Sequence, residues 1–196
     1  MPSRRTTAAA LNLPLAGDAT PRERILSTAH DLFYREGIRA TGIDRVIAEA
    51  GVTKVTFYRQ FPSKDDLILA FLEQRHERWM TWFVDALARH GGTVDAIVPT
   101  LREWFSSPDY RGCAFINSVG ELGPVQPAVV EVTRSHKQEM ADAVAAVLPT
   151  GRGRSAEARA IALAIDGAIV QAQVLGTPEE ALEPLSLLLK AMKRGA

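Results

Sequence analysis

The chain has 196 residues, of which 46% are hydrophobic and 23% are charged. This balance is typical of a globular protein, and the apolar stretches are interrupted or too short for a membrane span, which needs roughly 20 apolar residues. A single cysteine, Cys113, excludes an internal disulfide and a cysteine-based zinc site within one chain. We therefore expect a cytoplasmic protein without a membrane segment.

Charge is unevenly distributed, although the formal net charge is zero. Through Lys64 there are ten Lys or Arg residues against six Asp or Glu, and after it there are thirteen against seventeen. A basic front half is compatible with nucleic-acid binding, but solvated protein surfaces produce imbalances of the same size. The charge distribution alone does not decide between the two.

The first helix is indicated by its capping residues. Residues 1–19 are predicted to form a flexible arm, in which Arg4 and Arg5 either contact DNA or have no role. Residues 20–23, Thr-Pro-Arg-Glu, then supply an N-cap hydroxyl, a proline for the first helical position and a glutamate that reaches back to the cap. A helix is expected from there to Gly37, where glycine lets the chain leave the helix.

Two short helices with a sharp turn between them are predicted next. Thr41 is expected to cap the first of them, which ends before Gly51, and Thr53 caps the second, which covers residues 54–60. Because the connection is so short, the second helix must turn sharply against the first. This spacing is typical of a helix-turn-helix.

The remaining chain is predicted to be helical as well, because apolar residues recur three and four apart. Ser63 caps a long helix to about His90, and further helices are predicted near residues 94–106, 113–122, 127–148, 155–175 and 178–193. Pro99 and Pro184 fall inside two of these ranges, where each either kinks its helix or marks the true start of it. The expected fold class is all-α, with about nine helices.

One stretch resembles the DNA-binding signature of the TetR family of transcriptional regulators, and it covers residues 40–64, ATGIDRVIAEAGVTKVTFYRQFPSK. The resemblance extends over about 50 residues from Arg22 and departs from the family at Val55, where glycine or alanine is frequent. It implies a three-helix helix-turn-helix DNA-binding domain at residues 20–65 and a larger helical ligand-binding and dimerisation domain at residues 66–196.

The third helix offers the major groove a mixture of donors and apolar groups, provided that Phe57 and Phe61 turn inward. Lys54 and Arg59 suit guanine edges or phosphates, and Val55 suits a thymine methyl group. The resemblance implies a base contact by Arg45, and hydroxyls and an ammonium near helix N-termini suit phosphates. The predicted DNA-binding set is Thr41, Arg45, Thr53, Lys54, Val55, Thr56, Tyr58, Arg59 and Lys64.

The resemblance also implies a small-molecule pocket with aromatic walls and few polar groups. The candidate lining residues are Trp79, Trp82, Phe83, Trp104, Phe105, Phe115, Asn117, His136, Met140 and Gln171. Each of them is also compatible with an ordinary place in the core. Cys113 is either an oxidant sensor or a buried thiol.

A homodimer is expected because one helix-turn-helix covers too little DNA for useful specificity. Two of them about 34 Å apart would bind the two halves of a palindrome. The last two helices carry apolar rows suited to a four-helix interface. These rows are Ile161, Ala164, Ile165, Ala168, Ile169, Ala172, Leu182, Leu185, Leu188, Leu189 and Met192. The alternative is that they form a core within one chain.

The predicted function is a ligand-responsive transcriptional regulator, a repressor that binds double-stranded DNA and is released by a small-molecule effector. The sequence contains no Ser-His-Asp arrangement with supporting turns, no phosphate loop and no metal-ligand spacing. We therefore expect no catalytic residues, no metal and no cofactor. The alternatives are an architectural DNA-binding protein without a ligand, and a helical enzyme.

Overall fold

The computed structural model describes residues 18–195, and these are all-helical, with nine α-helices and no strands. The predicted fold class is thereby confirmed. Arg4 and Arg5 of the predicted arm lie outside the described residues. The helices are α1 (Pro21–Glu36), α2 (Ile43–Glu49), α3 (Lys54–Gln60), α4 (Lys64–Arg89), α5 (Ile97–Phe105), α6 (Ala114–Leu122), α7 (Pro127–Ala146), α8 (Arg154–Leu175) and α9 (Pro178–Gly195).

Helices α1 and α4 begin at the capping residues that the sequence predicts. The Thr20 hydroxyl accepts a hydrogen bond from the Glu23 amide at 3.3 Å, and the Glu23 carboxylate accepts one from the Thr20 amide at 2.7 Å. The hydrogen bonds from Thr20 hold the pKa of Glu23 below its usual value. The Ser63 hydroxyl likewise accepts from the Asp66 amide at 3.1 Å. These bonds satisfy amides that a helix N-terminus otherwise leaves without partners.

Helix α2 begins differently from the prediction. Its N-cap is Gly42, and no side chain caps it. The Thr41 hydroxyl donates instead to the Gly37 carbonyl at 2.8 Å, back across the connection from α1. The prediction that Thr41 caps α2 is therefore wrong, because this hydroxyl closes the preceding loop.

The two prolines have different positions in their helices. Pro99 is the third residue of α5, where the amide has no intrahelical partner to lose, and a short 3-10 helix at Val94–Ala96 precedes it. Pro184 lies inside α9, which continues past it. Pro99 thus belongs to a helix start, whereas Pro184 does not mark one.

The described residues fall into two compact units. The head unit comprises residues 18–77 and 114–134, and the body unit comprises residues 78–113 and 135–195. The head unit therefore includes α6 as well as the first three helices. The functional boundary predicted after residue 65 stays a prediction.

The head unit has a core to which α1, α2 and α3 all contribute, since these three helices pack against one another. Helix α1 buries Ile25 and Leu32, and α2 buries Val46. Phe57 and Phe61 are also buried, as the sequence predicts. Helix α3 is therefore fixed to the unit by its aromatic face.

In the body unit α8 packs against α9, and α9 also packs against α5. Eight residues of the predicted dimer interface are buried inside the single chain, namely Ile161, Ile165, Ala168, Ile169, Ala172, Leu182, Leu185 and Leu189. Ala164 and Met192 are half-buried, and Leu188 is exposed. The interface itself stays a prediction, and most of the residues predicted for it already pack inside one chain.

A second apolar face of α8 points to solvent. It carries Leu163, Val170 and Val174, and the exposed Leu187 and Leu188 lie on α9. By length and composition alone, α8 could cross a membrane, since it has 22 residues and is apolar on two faces. Core helices of soluble proteins pass the same test. The expected absence of a membrane segment stays a prediction.

Phe57→Ala is expected to lower the free energy of unfolding by about 3–5 kcal/mol, because it removes a fully buried aromatic ring and leaves a cavity. Val55→Ala on the same helix serves as the control, since Val55 is 78% exposed and its loss should change stability by less than about 0.5 kcal/mol. Urea denaturation followed by circular dichroism measures both variants. Equal effects would contradict the orientation of α3 described above.

Candidate nucleic-acid interface

Helix α3 is held at its N-terminus by a side-chain cap. The Thr53 hydroxyl accepts a hydrogen bond from the Thr56 amide at 3.2 Å, and the two hydroxyl oxygens lie 2.9 Å apart. Both hydroxyls are thus within the cap, with Thr53 exposed and Thr56 half-buried. Of the two, Thr53 is the more accessible to a ligand.

The outward face of α3 carries Lys54, Val55, Tyr58 and Arg59, all of which are exposed. Residues four apart lie on the same side of a helix, so these four side chains form one continuous surface opposite Phe57. The surface combines two cations, a phenol and an aliphatic group. Its polar groups can donate hydrogen bonds to phosphates and base edges, and Val55 offers an apolar contact.

Thr41 and Lys64 of the predicted DNA-binding set have side-chain polar groups that bond to the backbone of the head unit. Thr41 is fully buried. The Lys64 ammonium donates to the Ile38 carbonyl at 2.6 Å and lies 6.0 Å from the centre of the Phe33 ring. Burial lowers the pKa of Lys64, against the opposing effect of nearby carboxylates such as Glu121. Both side chains stabilise the loop between α1 and α2, and neither joins the outward face of α3.

The same loop is bound from α6 by Glu121, a residue that sequence reasoning did not place here. Its carboxylate accepts a hydrogen bond from the Arg39 amide at 2.7 Å. A Cβ atom at Gly37 would lie only 3.2 Å from this carboxylate, and Gly37 has a φ of 90°. Glycine therefore allows both the turn and the close approach. No local signal indicates a contact between residues 82 positions apart.

Arg45 lies on α2 between two carboxylates. Its Nη1 and Nη2 atoms donate to Glu36 at the end of α1, with the Nη2–Oε1 distance 2.9 Å, and its Nε donates to Glu49 at 2.7 Å. Hydrogen bonds from Arg45 hold the pKa of Glu36 below its usual value, and bonds to Glu36 and Glu49 raise the pKa of Arg45. The Glu49 contact has helical i,i+4 spacing and was therefore detectable in the sequence, whereas the Glu36 contact depends on how α1 meets α2.

Seven of the predicted pocket residues lie in the body unit and are buried. They are Trp79, Trp82, Phe83, Trp104, Phe105, His136 and Met140. Trp79 is central to them, with ring-centre distances of 4.6 Å to Phe83, 5.4 Å to Trp104 and 5.1 Å to His136. The structure thus brings the six aromatic residues of this set together in one aromatic cluster, and Met140 is buried in the same unit.

The other three predicted pocket residues are placed elsewhere. Phe115 and Asn117 belong to the head unit, where Phe115 is buried and Asn117 half-buried. Gln171 is exposed on α8. The aromatic cluster is therefore assembled without these three residues.

The aromatic cluster contains a tryptophan whose N–H is satisfied and another whose N–H is not. Trp82 donates from Nε1 to Glu103 at 3.1 Å. Trp79 Nε1 is buried without a hydrogen-bond partner among the described residues, and the same is true of the Thr100 hydroxyl on α5. A buried donor without a partner costs about 1–3 kcal/mol, so each is a position where an acceptor would be stabilising.

Cys113 is predicted to be either an oxidant sensor or a buried thiol, and it is buried in the body unit. Its sulfur lies 3.6 Å from the Lys137 ammonium, which also donates to Asp166 at 2.5 Å. Oxidant sensing by this thiol stays a prediction. Among the described residues there is no group of three or more His, Cys, Asp or Glu side chains suited to a metal ion.

The N-terminal helices match the family model described as "Bacterial regulatory proteins, tetR family" over residues 25–71. A curated relative, an HTH-type transcriptional regulator of Lactococcus lactis subsp. lactis, is 26% identical over 106 residues. That match covers 52% of this chain and 54% of the relative, so the chain spans about half the length of this relative.

Solved structures match most of the chain. A TetR-family transcriptional regulator of Streptomyces coelicolor is 35% identical, with a TM-score of 0.77, over 89% of this chain and 95% of that one. A TetR transcriptional regulator of Chloroflexus aurantiacus is 28% identical, with a TM-score of 0.69, over 86% of this chain and 91% of that one. These relatives are transcriptional regulators and not enzymes. With this fold, this helix-turn-helix and this degree of identity, the chain belongs to the TetR family of DNA-binding transcriptional regulators.

Proposed function

We propose that the protein is a cytoplasmic repressor that binds a palindromic operator as a homodimer and is released by a small-molecule effector. The observation that carries the proposal is the outward face of α3, on which two cations, a phenol and a valine are exposed while Phe57 fixes the helix from behind. Such a face presents both base-reading and phosphate-binding groups to a major groove.

The DNA contacts divide by chemistry. Lys54 and Arg59 suit guanine edges or phosphates, and Val55 suits a thymine methyl group. Tyr58 and Thr53 offer hydroxyls to phosphates, which fix the register without reading sequence. Thr41 and the Lys64 ammonium are left out of this set because both are engaged inside the head unit.

The second copy is proposed to cover the outward apolar faces of α8 and α9. Leu163, Val170 and Val174 are spaced along one side of α8, and Leu187 and Leu188 lie on α9. None of these residues carries a charge, so two identical faces can pack together without burying an unpaired ion. Exposed apolar faces of this kind are typical of oligomer contacts.

The effector is proposed to bind at the aromatic cluster of the body unit. The ring edges and faces around Trp79 suit a planar apolar molecule. Trp79 Nε1 lacks a partner among the described residues, so the molecule should carry a hydrogen-bond acceptor. An effector with different affinities for the DNA-competent and DNA-incompetent states would shift the equilibrium between them.

Lys54→Ala and Arg59→Ala are each expected to weaken binding to a duplex selected from a random pool. Loss of a phosphate contact should reduce the dependence of log Kd on log salt by about 0.9, whereas loss of a base contact should cost about 1–3 kcal/mol and relax discrimination at one base pair. Fluorescence anisotropy at several salt concentrations measures both effects. The control is Lys190→Ala, which removes one exposed cation from α9. Wild-type affinity in both α3 variants would refute the proposed interface.

The double variant with Leu163→Glu and Leu187→Glu is expected to sediment as a monomer, because four unpaired carboxylates would be buried in the dimer. Val125→Glu replaces an equally exposed aliphatic residue of the head unit and should leave the oligomeric state unchanged. Analytical ultracentrifugation at micromolar concentration compares the three proteins. A monomeric wild type would count against the homodimer.

A compound that releases the DNA is expected to change tryptophan fluorescence, because all three tryptophans of the chain lie in the aromatic cluster. Trp79→Phe should weaken its binding by about 1–3 kcal/mol through loss of the indole donor. Trp82→Phe is the matched control, since that N–H already donates to Glu103. Screening uncharged aromatic compounds with the selected duplex tests this. An effector whose affinity is insensitive to Trp79→Phe would place its site elsewhere.

A further inference from the structure

Arg45 is held at both ends of its guanidinium group. Glu36 accepts from Nη1 and Nη2, which form the terminal edge of the group, and Glu49 accepts from Nε, nearest the aliphatic stem. The Arg45, Glu36 and Glu49 side chains are 45%, 38% and 44% exposed, so DNA can reach them. The two carboxylates therefore hold chemically different parts of one accessible side chain.

The terminal edge is the part of an arginine that reads a guanine, because a guanine offers two acceptors to two parallel N–H groups. In the free chain Glu36 takes that pair of donors in the same two-point manner. A base can bind the terminal edge of Arg45 only after Glu36 has left it. Glu36 is thus placed as a competitor of the base.

Glu49 has the opposite relation to a base. Its bond to Nε leaves the terminal edge available, and it lies one helical turn from Arg45 on the same helix. A carboxylate in this position restricts the rotamers of the arginine and so reduces the entropy lost when the terminal edge binds. Its effect on affinity should therefore be favourable, despite its negative charge.

We propose that Glu36 and Glu49 act in opposite directions on DNA binding through Arg45. Glu36 lowers operator affinity by occupying the base-reading edge of Arg45, and Glu49 is a positioning residue that directs this edge towards the base. The inference rests on the proposed function, in which the outward face of α3 meets a major groove, and it adds Arg45 of α2 to the groups that read a base. The two glutamates carry the same charge, yet they are expected to change operator affinity in opposite directions.

The test compares Glu36→Gln and Glu49→Gln on the selected duplex and on its single-base variants. Glu36→Gln should tighten binding by about fivefold, the largest factor expected for an exposed ion pair. Glu49→Gln should weaken it by about two- to fivefold and reduce discrimination at one base pair. Each substitution removes one negative charge, so a general charge effect would tighten binding in both.

The matched control is Glu73→Gln, which removes an exposed carboxylate of α4 in the head unit, outside the Arg45 network. Arg45→Lys supplies the second control, because it keeps the charge and removes the two-point edge. In the Arg45→Lys background both glutamate substitutions should match Glu73→Gln. Far-UV circular dichroism and thermal unfolding of each variant establish that the fold is retained.

The outcomes separate this inference from the proposed function. Opposite signs for the two glutamate variants, lost in the Arg45→Lys background, support it. Equal signs, or opposite signs that persist in the Arg45→Lys background, overturn it while operator binding stands. A wild-type chain that retains no duplex overturns the proposed function itself, and the inference with it.

Discussion

The outward face of α3, which carries the proposed DNA contacts, depends on the burial of Phe57 on the opposite side of the helix. Helix α3 has only seven residues, and helices shorter than about 12–15 residues are marginal in water. Its stability must therefore come from packing, which Phe57 and Phe61 supply on one side, and from the Thr53 cap. Because the aromatic side is fixed inside the unit, the opposite side is fixed outward. The same burial that makes the helix stable thus decides which residues are available to DNA.

The loop between α1 and α2 shows that side chains of a helix-turn-helix can have a structural role inside the head unit. Thr41, Lys64 and Glu121 each bond to a backbone group of this loop. A buried or half-buried polar side chain needs a hydrogen-bond partner, and so does a backbone carbonyl or amide of a loop. Each of these bonds satisfies both groups. These side chains therefore maintain the position of α2 relative to α1, while exposed side chains of α3 are left for recognition.

Local signals predicted much of this molecule, and the failures have a common physical cause. The caps at Thr20 and Ser63 and the inward turn of Phe57 follow from residues a few positions apart, and the structure has them. The Glu121 contact joins residues distant in sequence, which no spacing rule detects. Helix α8 is apolar on two faces, and periodicity does not say which face packs against its own chain, so the rows predicted for a dimer interface include many residues that are buried within the single chain.

The zero net charge of the chain also follows a physical logic. Non-specific DNA affinity grows with the number of cations that meet phosphates. On α3 the exposed cations are Lys54, whose ammonium lies 3.7 Å from the Asp44 carboxylate, and Arg59. With two cations on its outward face, one copy of α3 makes few phosphate contacts, so base contacts by this helix must supply more of the binding energy. Two copies on one palindrome would double those contacts, which is the physical reason behind the proposed dimer.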